Sequence, residues 1–426
     1  MNSDVDKDIE AILSALKVEW DPLEGLAETH YNLGVTIYES AMGDPWLCKM
    51  AVDCFTQAAD LGYPEAQYNL GTMYAAAEGV PQNYDTAKKW CTLAAEQGNA
   101  KAQYMLGNMY DEGKGVQQHY ETAVKWYTQA AEQGYFLGQF KLANAFREGN
   151  GLTQSDQTAV KWYTLAAEQG YDFAQLHLGN MYAQGQGVTM SNQTAVTWYK
   201  KASKQGNANA QFILGLRYYE GKGVTKDYQI ATENFTLAAE QGHAKSQYQL
   251  GIMYQNELGV PKNYETSAKW YTLAAEQGHI EAQYNVGIIY HYGLGTPRNG
   301  GTAVKWHTLA AEQGHVNAQY QLGVMFAQGD DVLEDDQVAI KWFTLAARQG
   351  NTNAQCYLGA MYDDEYGARP IKDYLRAYMW YSLAEYNGDM EGAESKEKIA
   401  KKMTQAQISK AQDMSSQCLE SCYTDC

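Results

Sequence analysis

The stretch "AVKWYTLAAEQG" occupies residues 159–170, and the stretch "SAKWYTLAAEQG" occupies residues 267–278. Ten of the twelve letters match, and the two copies start 108 residues apart (267 − 159), which is three times 36. A glycine closes every unit of this pattern, at Gly62, Gly98, Gly134, Gly170, Gly206, Gly242, Gly278, Gly314, Gly350 and Gly388. A fixed period between about 20 and 50 residues is typical of a repeat architecture. The quoted stretch is therefore a recurring structural part and not a single site.

Each unit has the pattern of two short helices, as the unit 63–98 illustrates. Its first half places small or apolar residues at the spacing of one helical face, namely Ala66, Leu70, Met73 and Tyr74. The segment "EGVPQN" follows, and its glycine and proline interrupt a helix. For the second helix we predict a buried stripe that consists of Ala87, Trp90, Leu93 and Ala94.

The ends of the predicted helices carry suitable residues. Side chains that can accept a hydrogen bond from a first-turn amide precede the second helices, at Asn83, Ser155, Ser191, Asp227, Asn263, Asn299 and Asp335. The closing glycine stands where a helix ends in a left-handed residue.

One such helix pair cannot bury its apolar face alone, so the pairs must stack. We interpret the tryptophan that recurs in most units as filling the groove between adjacent helices, and not as a ladder for stacking ligands.

The motifs "AQYNLGTMY", "GVPQ" and "WYTLAAEQG" resemble the Sel1-like repeat, a relative of the tetratricopeptide repeat. The resemblance implies an all-α fold, a right-handed superhelical solenoid of about ten 36-residue helix-turn-helix repeats over residues 26–388. It also implies that the first helix of each pair lines a concave surface. Family members bind or assemble other proteins, often in bacterial envelope, secretion or host-contact settings, and this implies a scaffold and not an enzyme.

The two ends of the chain depart from the repeat. Residues 1–25 predict an N-terminal capping helix, with Ser3 as its cap and an apolar stripe of Val5, Ile9, Ile12, Leu13 and Leu16. Residues 389–426 predict C-terminal capping helices with a cysteine-containing tail. Ile399, Met403, Ile408, Ala411 and Met414 are the residues that we expect to close this end of the stack.

The charge of the chain restricts its partners. With 50 acidic and 32 basic residues the formal net charge is −18, which disfavours nucleic acid and anionic membrane surfaces. There is no apolar run long enough for a transmembrane helix. The N-terminus "MNSDVDKDIEAILSALKVEW" places acids before its apolar residues, unlike a secretory signal, so we expect a cytoplasmic protein. A periplasmic or secreted location stays open, because a chain whose leader had been removed would look the same.

Three groups of residues could suggest a metal site, and we expect none. Cys418, Cys422 and Cys426 match no standard zinc spacing, and a tail disulfide in an oxidising compartment is the preferred interpretation. His243, His279 and His315 open three successive units, where we expect plain loop positions. The acidic segment "GDDVLEDD" at 329–336 lacks the spacing of a known calcium loop, so we interpret it as a solvated loop or a dock for a basic partner.

Catalysis finds little support in the sequence. Ser14–Lys17 and Ser395–Lys398 match the serine–x–x–lysine pattern of penicillin-recognising enzymes, but the companion S-D-N and K-T-G motifs are missing. We therefore predict no catalytic residue and no cofactor. A penicillin-recognising hydrolase remains the alternative of another class.

Because recurring positions specify the fold, we expect specificity to lie in the positions that vary. Positions are counted from the residue after each closing glycine, so that Tyr63 is position one. Position ten of the first helix is Thr or Asn in the first four units counted from 63–98, and Leu, Ile, Ile and Val in the next four. Since side chains three residues apart share one side of a helix, positions seven and thirteen flank it.

This pattern predicts that a partner protein or peptide docks on the concave face across residues 207–350, through Ile213, Leu216, Arg217, Tyr219, Ile252, Ile288, His291, Tyr292 and Val324. The alternative is that these residues pack against the preceding repeat. Three settings stay open: a cytoplasmic adaptor, an exported envelope or host-contact protein, and an immunity-type binder that neutralises a toxin. We expect the chain itself to be a monomer.

Overall fold

The computed structural model describes residues 25–330, 332–363, 372–421 and 423. This part of the chain contains 22 α-helices and no strand. They are α1 Leu26–Ala41, α2 Pro45–Asp60, α3 Pro64–Ala76, α4 Tyr84–Glu96, α5 Ala100–Glu112, α6 Tyr120–Glu132, α7 Phe136–Glu148, α8 Asp156–Glu168, α9 Asp172–Gln184, α10 Asn192–Lys204, α11 Ala208–Glu220, α12 Tyr228–Glu240, α13 Ala244–Gln255, α14 Tyr264–Glu276, α15 Ile280–Tyr292, α16 Gly300–Glu312, α17 Val316–Gln328, α18 Asp336–Arg348, α19 Thr352–Tyr362, α20 Tyr374–Tyr386, α21 Met390–Ala400 and α22 Gln405–Glu420. The predicted N-terminal helix, Ser14–Lys17, Asp331, Cys422 and Cys426 lie outside the described residues.

The chain divides into two compact units. The first comprises the residues up to 210 together with 222–224, and the second comprises 211–221 and the residues from 225 onward. Within each unit, most helices pack against their neighbours in chain order, and α20 contacts both α21 and α22. We call the first and second helix of a repeat its A helix and its B helix. The all-α solenoid of stacked helix pairs that the period predicts is confirmed.

The buried face of the A helix agrees with the sequence pattern. In α3, Ala66, Leu70 and Met73 are buried, and Tyr74 is half-buried. These side chains pack against the B helix of the preceding repeat and against the B helix of their own repeat. The A helix is therefore held between two B helices, which is why a single pair would be unstable by itself.

The predicted stripe of the B helix was partly wrong. Ala87 and Ala94 are buried as expected, but Leu93 is 37% exposed. The buried face of α4 instead runs through Ala87, Cys91, Ala94 and Ala95, the i, i+4, i+7, i+8 positions of one helical side. Leu93 lies outside this face, and its exposure recurs in other repeats.

The predicted groove-filling role of the tryptophans agrees with the packing. Trp90 is half-buried and packs against a cluster that contains Phe55 and Ala59 of the preceding repeat. The ring therefore spans the step from one repeat to the next.

The predicted helix ends are confirmed. The caps proposed from the sequence all accept a hydrogen bond from a first-turn amide, at Asn83, Ser155, Ser191, Asp227, Asn263, Asn299 and Asp335. At the other end of α4, Gly98 has a φ of +91°, the left-handed conformation that favours glycine. Its amide bonds the carbonyl of Ala95 at 3.0 Å and so ends the helix.

Within each unit, a buried glutamine joins a repeat to the one before it. Gln103 of α5 is only 4% exposed. Its Nε2 donates to the carbonyl of Ala95 in the preceding B helix at 3.1 Å, and its Oε1 accepts from Gln133 of its own B helix at 2.7 Å. The paired glutamines recur as Gln67 with Gln97, Gln139 with Gln169, Gln175 with Gln205, Gln247 with Gln277, Gln283 with Gln313, and Gln319 with Gln349.

The last two helices cover the end of the array. Ile399 and Ala411 are buried in one cluster with Trp380 and Tyr381 of α20. Met403, Ile408 and Met414 are half-buried and pack against the same cluster. This apolar contact supplies the surface that a further repeat would otherwise cover.

One core position carries a histidine where other repeats carry an aromatic ring. His307 is fully buried, and its ring lies directly against Gly287, because a Cβ at residue 287 would be 2.5 Å from it. Tyr271 and Phe343 occupy the equivalent place against Gly251 and Gly323. Neither ring nitrogen of His307 has a hydrogen-bond partner among the described residues. Burial, with a smaller contribution from neighbouring His291 and His315, lowers the pKa of His307 from 6.5 to about 3.

The glutamine contacts make a prediction about stability. Gln103→Leu keeps the size of the side chain but removes both of its hydrogen bonds, each worth about 1 kcal/mol, so we expect a loss of about 1–2 kcal/mol in the free energy of unfolding. Gln129→Leu is the matched control, because Gln129 is exposed at position 31 of its repeat, where several other repeats already carry leucine. Denaturant unfolding of both variants measures the difference. Equal stability would show that the glutamines do not hold the junction.

His307 makes a prediction about pH. Since its pKa is lower in the folded chain than in the unfolded chain, the unfolded chain binds the proton better. The stability that depends on His307 is complete above about pH 6.5 and is lost as the pH falls towards about 3. Between pH 8 and pH 5 this effect lowers the free energy of unfolding by about 2 kcal/mol. His307→Phe, which copies Phe343, should remove that decrease. Denaturant unfolding at both values tests this, with exposed His119→Asn as the control.

Candidate protein-binding surface

The nine residues predicted to bind a partner are called here the A-helix stripe: Ile213, Leu216, Arg217, Tyr219, Ile252, Ile288, His291, Tyr292 and Val324. All of them lie in the second unit, on α11, α13, α15 and α17. Tyr292 is 60% exposed, and the other eight residues are half-buried. The stripe is therefore neither core nor fully solvated surface.

Contacts within the fold explain part of this burial. Leu216 packs against a cluster that contains Phe235, and Ile252 packs against a cluster that contains Tyr271. Val324 likewise packs against the cluster of Phe343. Leu216, Ile252 and Val324 thus pack against core clusters with part of their surface and expose the rest to solvent.

The polar residues at position ten of the first unit have an internal role that the sequence analysis missed. Asn108 accepts a hydrogen bond from the hydroxyl of Tyr127, at position 29 of the same repeat, at 2.8 Å. The pairs Asn144 with Tyr163 and Asn180 with Tyr199 repeat this contact. These asparagines satisfy buried tyrosine hydroxyls, so their polarity does not by itself indicate a recognition surface.

The change from polar to apolar at position ten follows the same contact. Phe235 stands at position 29 in the repeat of Leu216, and Phe343 stands there in the repeat of Val324, so neither ring has a hydroxyl to satisfy. Tyr271, in the repeat of Ile252, donates instead to Gln255 at 2.8 Å. Asparagine at position ten thus accompanies tyrosine at position 29 in three repeats, and Leu or Val accompanies phenylalanine in two, a pattern that is visible in the sequence.

Charged groups border the stripe at the acidic segment 329–336. Asp330 pairs with Arg298 at 2.5 Å, and it lies 3.6 Å from Nε2 of His291. Asp335 accepts two amide hydrogen bonds as the cap of α18. These two carboxylates thus have partners within the fold, and no group of three or more metal-ligating side chains converges in the part of the chain that the structure describes.

The three recurring histidines are helix caps. Nδ1 of His243, His279 and His315 accepts from the backbone amides of Ser246, Ala282 and Ala318. His279 also stacks on Tyr248 of the preceding repeat, with ring centroids 4.5 Å apart. Burial is the largest cause that lowers the pKa of each of these histidines. The expected plain loop position is therefore a cap with a structural role.

The remaining sequence candidates have these surroundings. Ser395 is half-buried and Lys398 is exposed, and both lie on α21. Cys418 is disulfide-bonded, whereas Cys48, Cys54, Cys91 and Cys356 are free thiols. Among the described residues, no helix is long and apolar enough to cross a membrane.

The contact between positions ten and 29 can be tested with residues that the chain itself uses. Asn144→Leu leaves the hydroxyl of Tyr163 without its acceptor and should cost about 1–3 kcal/mol in the free energy of unfolding. Adding Tyr163→Phe creates the Leu–Phe pair of residues 216 and 235 and should restore most of the loss. Unfolding of both single variants and the double variant gives the coupling energy. Additive effects would contradict the proposed pairing.

Comparisons with known proteins agree with this architecture. The family model of the Sel1 repeat matches ten consecutive segments: residues 27–63, 64–99, 100–135, 137–171, 172–207, 208–243, 244–279, 280–315, 316–351 and 352–389. None of the curated proteins compared with the chain matches it.

Several solved structures are similar to the chain. A protective antigen present in uropathogenic Escherichia coli strains, which displays an SLR fold, has a TM-score of 0.63 and 32% identity, over 99% of this chain and 96% of that chain. A Sel1 repeat protein from Oxalobacter formigenes has a TM-score of 0.51 and 32% identity, over 57% of this chain and 96% of that chain. An immunity protein from Pseudomonas aeruginosa, at 21% identity and a TM-score of 0.32, covers 50% of this chain and 81% of its own. The ten matched repeats and the full-length likeness to an SLR-fold protein place this chain in the Sel1-repeat family.

Proposed function

We propose that this chain is a non-catalytic scaffold that binds a partner protein or peptide on the A-helix stripe. Proteins with Sel1 repeats are generally protein-interaction scaffolds, and the family is generally non-catalytic. The observation that carries the choice of surface is that Leu216, Ile252, Ile288 and Val324 are half-buried at the same position of four successive repeats.

A half-buried aliphatic side chain leaves apolar area that a partner can remove from water, at about 25 cal/mol per Å². Tyr292 projects beside this area with 60% of its surface exposed, and tyrosine and arginine are enriched among residues that dominate binding energy. The stripe therefore combines an apolar centre with a polar border, the usual anatomy of a protein interface.

The second unit suits this role better than the first. At the same position of the first unit, Asn108 and Asn144 already accept tyrosine hydroxyls within the fold. A partner there would meet amides that are largely satisfied. In the second unit the aliphatic side chains keep an apolar surface that nothing described in the fold covers completely.

An exported setting is the second candidate, beside the cytoplasmic adaptor. It is favoured by the disulfide at Cys418, because structural disulfides persist in oxidising compartments. The Escherichia coli relative, which matches 99% of this chain, is described as a protective antigen. The immunity-type setting has no such support, since the likeness to the Pseudomonas protein extends only to the fold. Alkylating the thiols of the denatured but unreduced protein would decide: modification of Cys418 at that step argues against export.

The binding proposal is tested with substitutions that the fold already tolerates at position ten. Ile252→Asn offers Tyr271 the acceptor that Tyr199 finds in Asn180. Val324→Thr copies Thr72. We expect the double variant to keep its circular dichroism spectrum and melting temperature and to lose the protein that the parent chain captures from native lysate.

The matched control carries two changes on B helices, Gln129→Leu and Thr197→Lys, which copy Leu165 and Lys161 of the repeat between them. This control should capture the protein as well as the parent does. Undiminished capture by the Ile252→Asn/Val324→Thr variant, with its fold intact, would show that the stripe is not the site. Penicillin hydrolysis that disappears in Ser395→Ala would instead favour the enzymatic alternative.

A further inference from the structure

The B helices of the second unit expose a row of leucines at position 31. Leu237, Leu273 and Leu345 are 48%, 43% and 37% exposed, and Leu309, between the last two in the series, is half-buried. These four leucines, with the half-buried tryptophans at position 28 of α14, α16 and α18, form what we call the B-helix band. It lies on helices other than those that carry the A-helix stripe.

The fold does not require leucine at this position. In the first unit this position alternates between the exposed leucines Leu93 and Leu165 and the polar residues Gln129 and Lys201, and α6 and α10, which carry the polar residues, still bury their alanine and tyrosine faces. Single exposed leucines are ordinary on protein surfaces. In the first unit Gln129 and Lys201 interrupt the leucines, whereas the second unit carries four in succession and so has a continuous apolar row that folding does not require.

The tryptophans make the band continuous from repeat to repeat. Trp270 packs against a cluster that contains Phe235 and Ala239 of the preceding repeat. Trp306 packs in the same way against the cluster of Tyr271, and Trp342 against the cluster of Ala310 and Ala311. Each ring therefore spans the step between two successive repeats, three residues before the leucine of its own helix.

A row of lysines borders the band on one side. Lys269, Lys305 and Lys341 precede the leucines of their helices by four residues, which is about one helical turn, and all three are exposed. Lys269 pairs with Glu265 on its own helix at 3.1 Å, but both side chains are about 70% exposed, so the pair is weak. The ammonium groups remain available to a partner.

A row of glutamates borders the other side. Glu240, Glu276 and Glu312 are exposed, and each is the last residue of its B helix. A carboxylate there faces the negative end of the helix dipole, which is unfavourable. Lys204 ends α10 and Arg348 ends α18 at the same position, with the charge that the dipole prefers. The glutamates, like the leucines, are therefore not explained by the stability of the fold.

We propose that the B-helix band binds an amphipathic α-helix of a partner protein. Its apolar face lies on the leucines, its acidic side faces the lysine row, and its basic side faces the glutamate row. A helix presents one apolar stripe with a polar flank on each side, and this matches the three parallel rows of the band. The inference rests on the proposed scaffold function only in that the ligand is a protein, and it concerns a different face.

The test is site-specific photocrosslinking in the native cell. Full-length chain carries p-benzoylphenylalanine in place of Leu273, and a control chain carries it in place of Lys201, the same position in the first unit. Mass spectrometry then identifies the crosslinked peptide. We expect an adduct at residue 273, at least several-fold above that at residue 201, with a segment of helical apolar periodicity that is acidic on one side and basic on the other.

Two further variants decide whether the band itself makes the contact. Leu237→Lys with Leu309→Gln, which copies Lys201 and Gln129, should reduce the adduct at residue 273 several-fold while the chain stays folded. Glu276→Lys should also reduce it, although it improves the charge at the end of α14. No excess adduct at residue 273, an adduct with a second copy of this chain, or a segment without the two charged sides would overturn the proposal.

The same crosslink separates this inference from the proposed function. The Ile252→Asn/Val324→Thr variant changes only the A-helix stripe, so the adduct at residue 273 should persist in it. If this variant no longer captures the protein from native lysate but still forms the adduct, both surfaces are supported. If it captures the protein as the parent does and still forms the adduct, only the B-helix band is supported.

Discussion

The described structure depends on one buried side chain per repeat, the glutamine at position five of the A helix. Its amide donates to a carbonyl of the preceding B helix and accepts from a second glutamine near the end of its own B helix. A buried amide costs free energy unless its hydrogen bonds are made, so only one register between successive repeats satisfies it. The alanines packed around it bury apolar area, but apolar contacts alone do not fix the register between repeats. The glutamine therefore adds to hydrophobic stacking a bond that fixes how each repeat meets the one before it.

Because the junctions use recurring positions, the remaining positions are free to vary, although not all of that variation faces a partner. Asn144 and Leu216 differ because Tyr163 and Phe235 differ beneath them. Variation at position 31 has no such internal counterpart, since glutamine, lysine and leucine all occur above the same buried face. Residues that vary without a covarying contact inside the fold are the better guide to function in a repeat protein.

The local features of the fold were predictable from the sequence. Caps such as Asn83 and closing glycines such as Gly98 act over a few residues. They recur with the period of 36 residues, so comparing the repeats identifies them. The exposure of Leu93 was predicted wrongly, because the alternation of i+3 and i+4 spacings leaves the centre of a short buried face uncertain by one residue. The contacts of Gln103 and of Asn144 join residues 30 and 19 apart, and residue spacing within one helix cannot show them. The A-helix stripe was selected by position, and its half-burial depended on packing that only the structure gives.

The most direct measurement of the central claim, that recurring positions carry the fold, is the thermal unfolding of a chimera followed by circular dichroism. Residues 243–278 of the chain would be replaced by the sequence of residues 99–134, which retains the two glutamines and the closing glycine but changes the residues at positions seven, ten and thirteen. The account predicts the same helical signal and a melting temperature within a few degrees of the parent. Loss of helical signal, or a new early transition, would show that the varied positions hold the array together and would contradict the account.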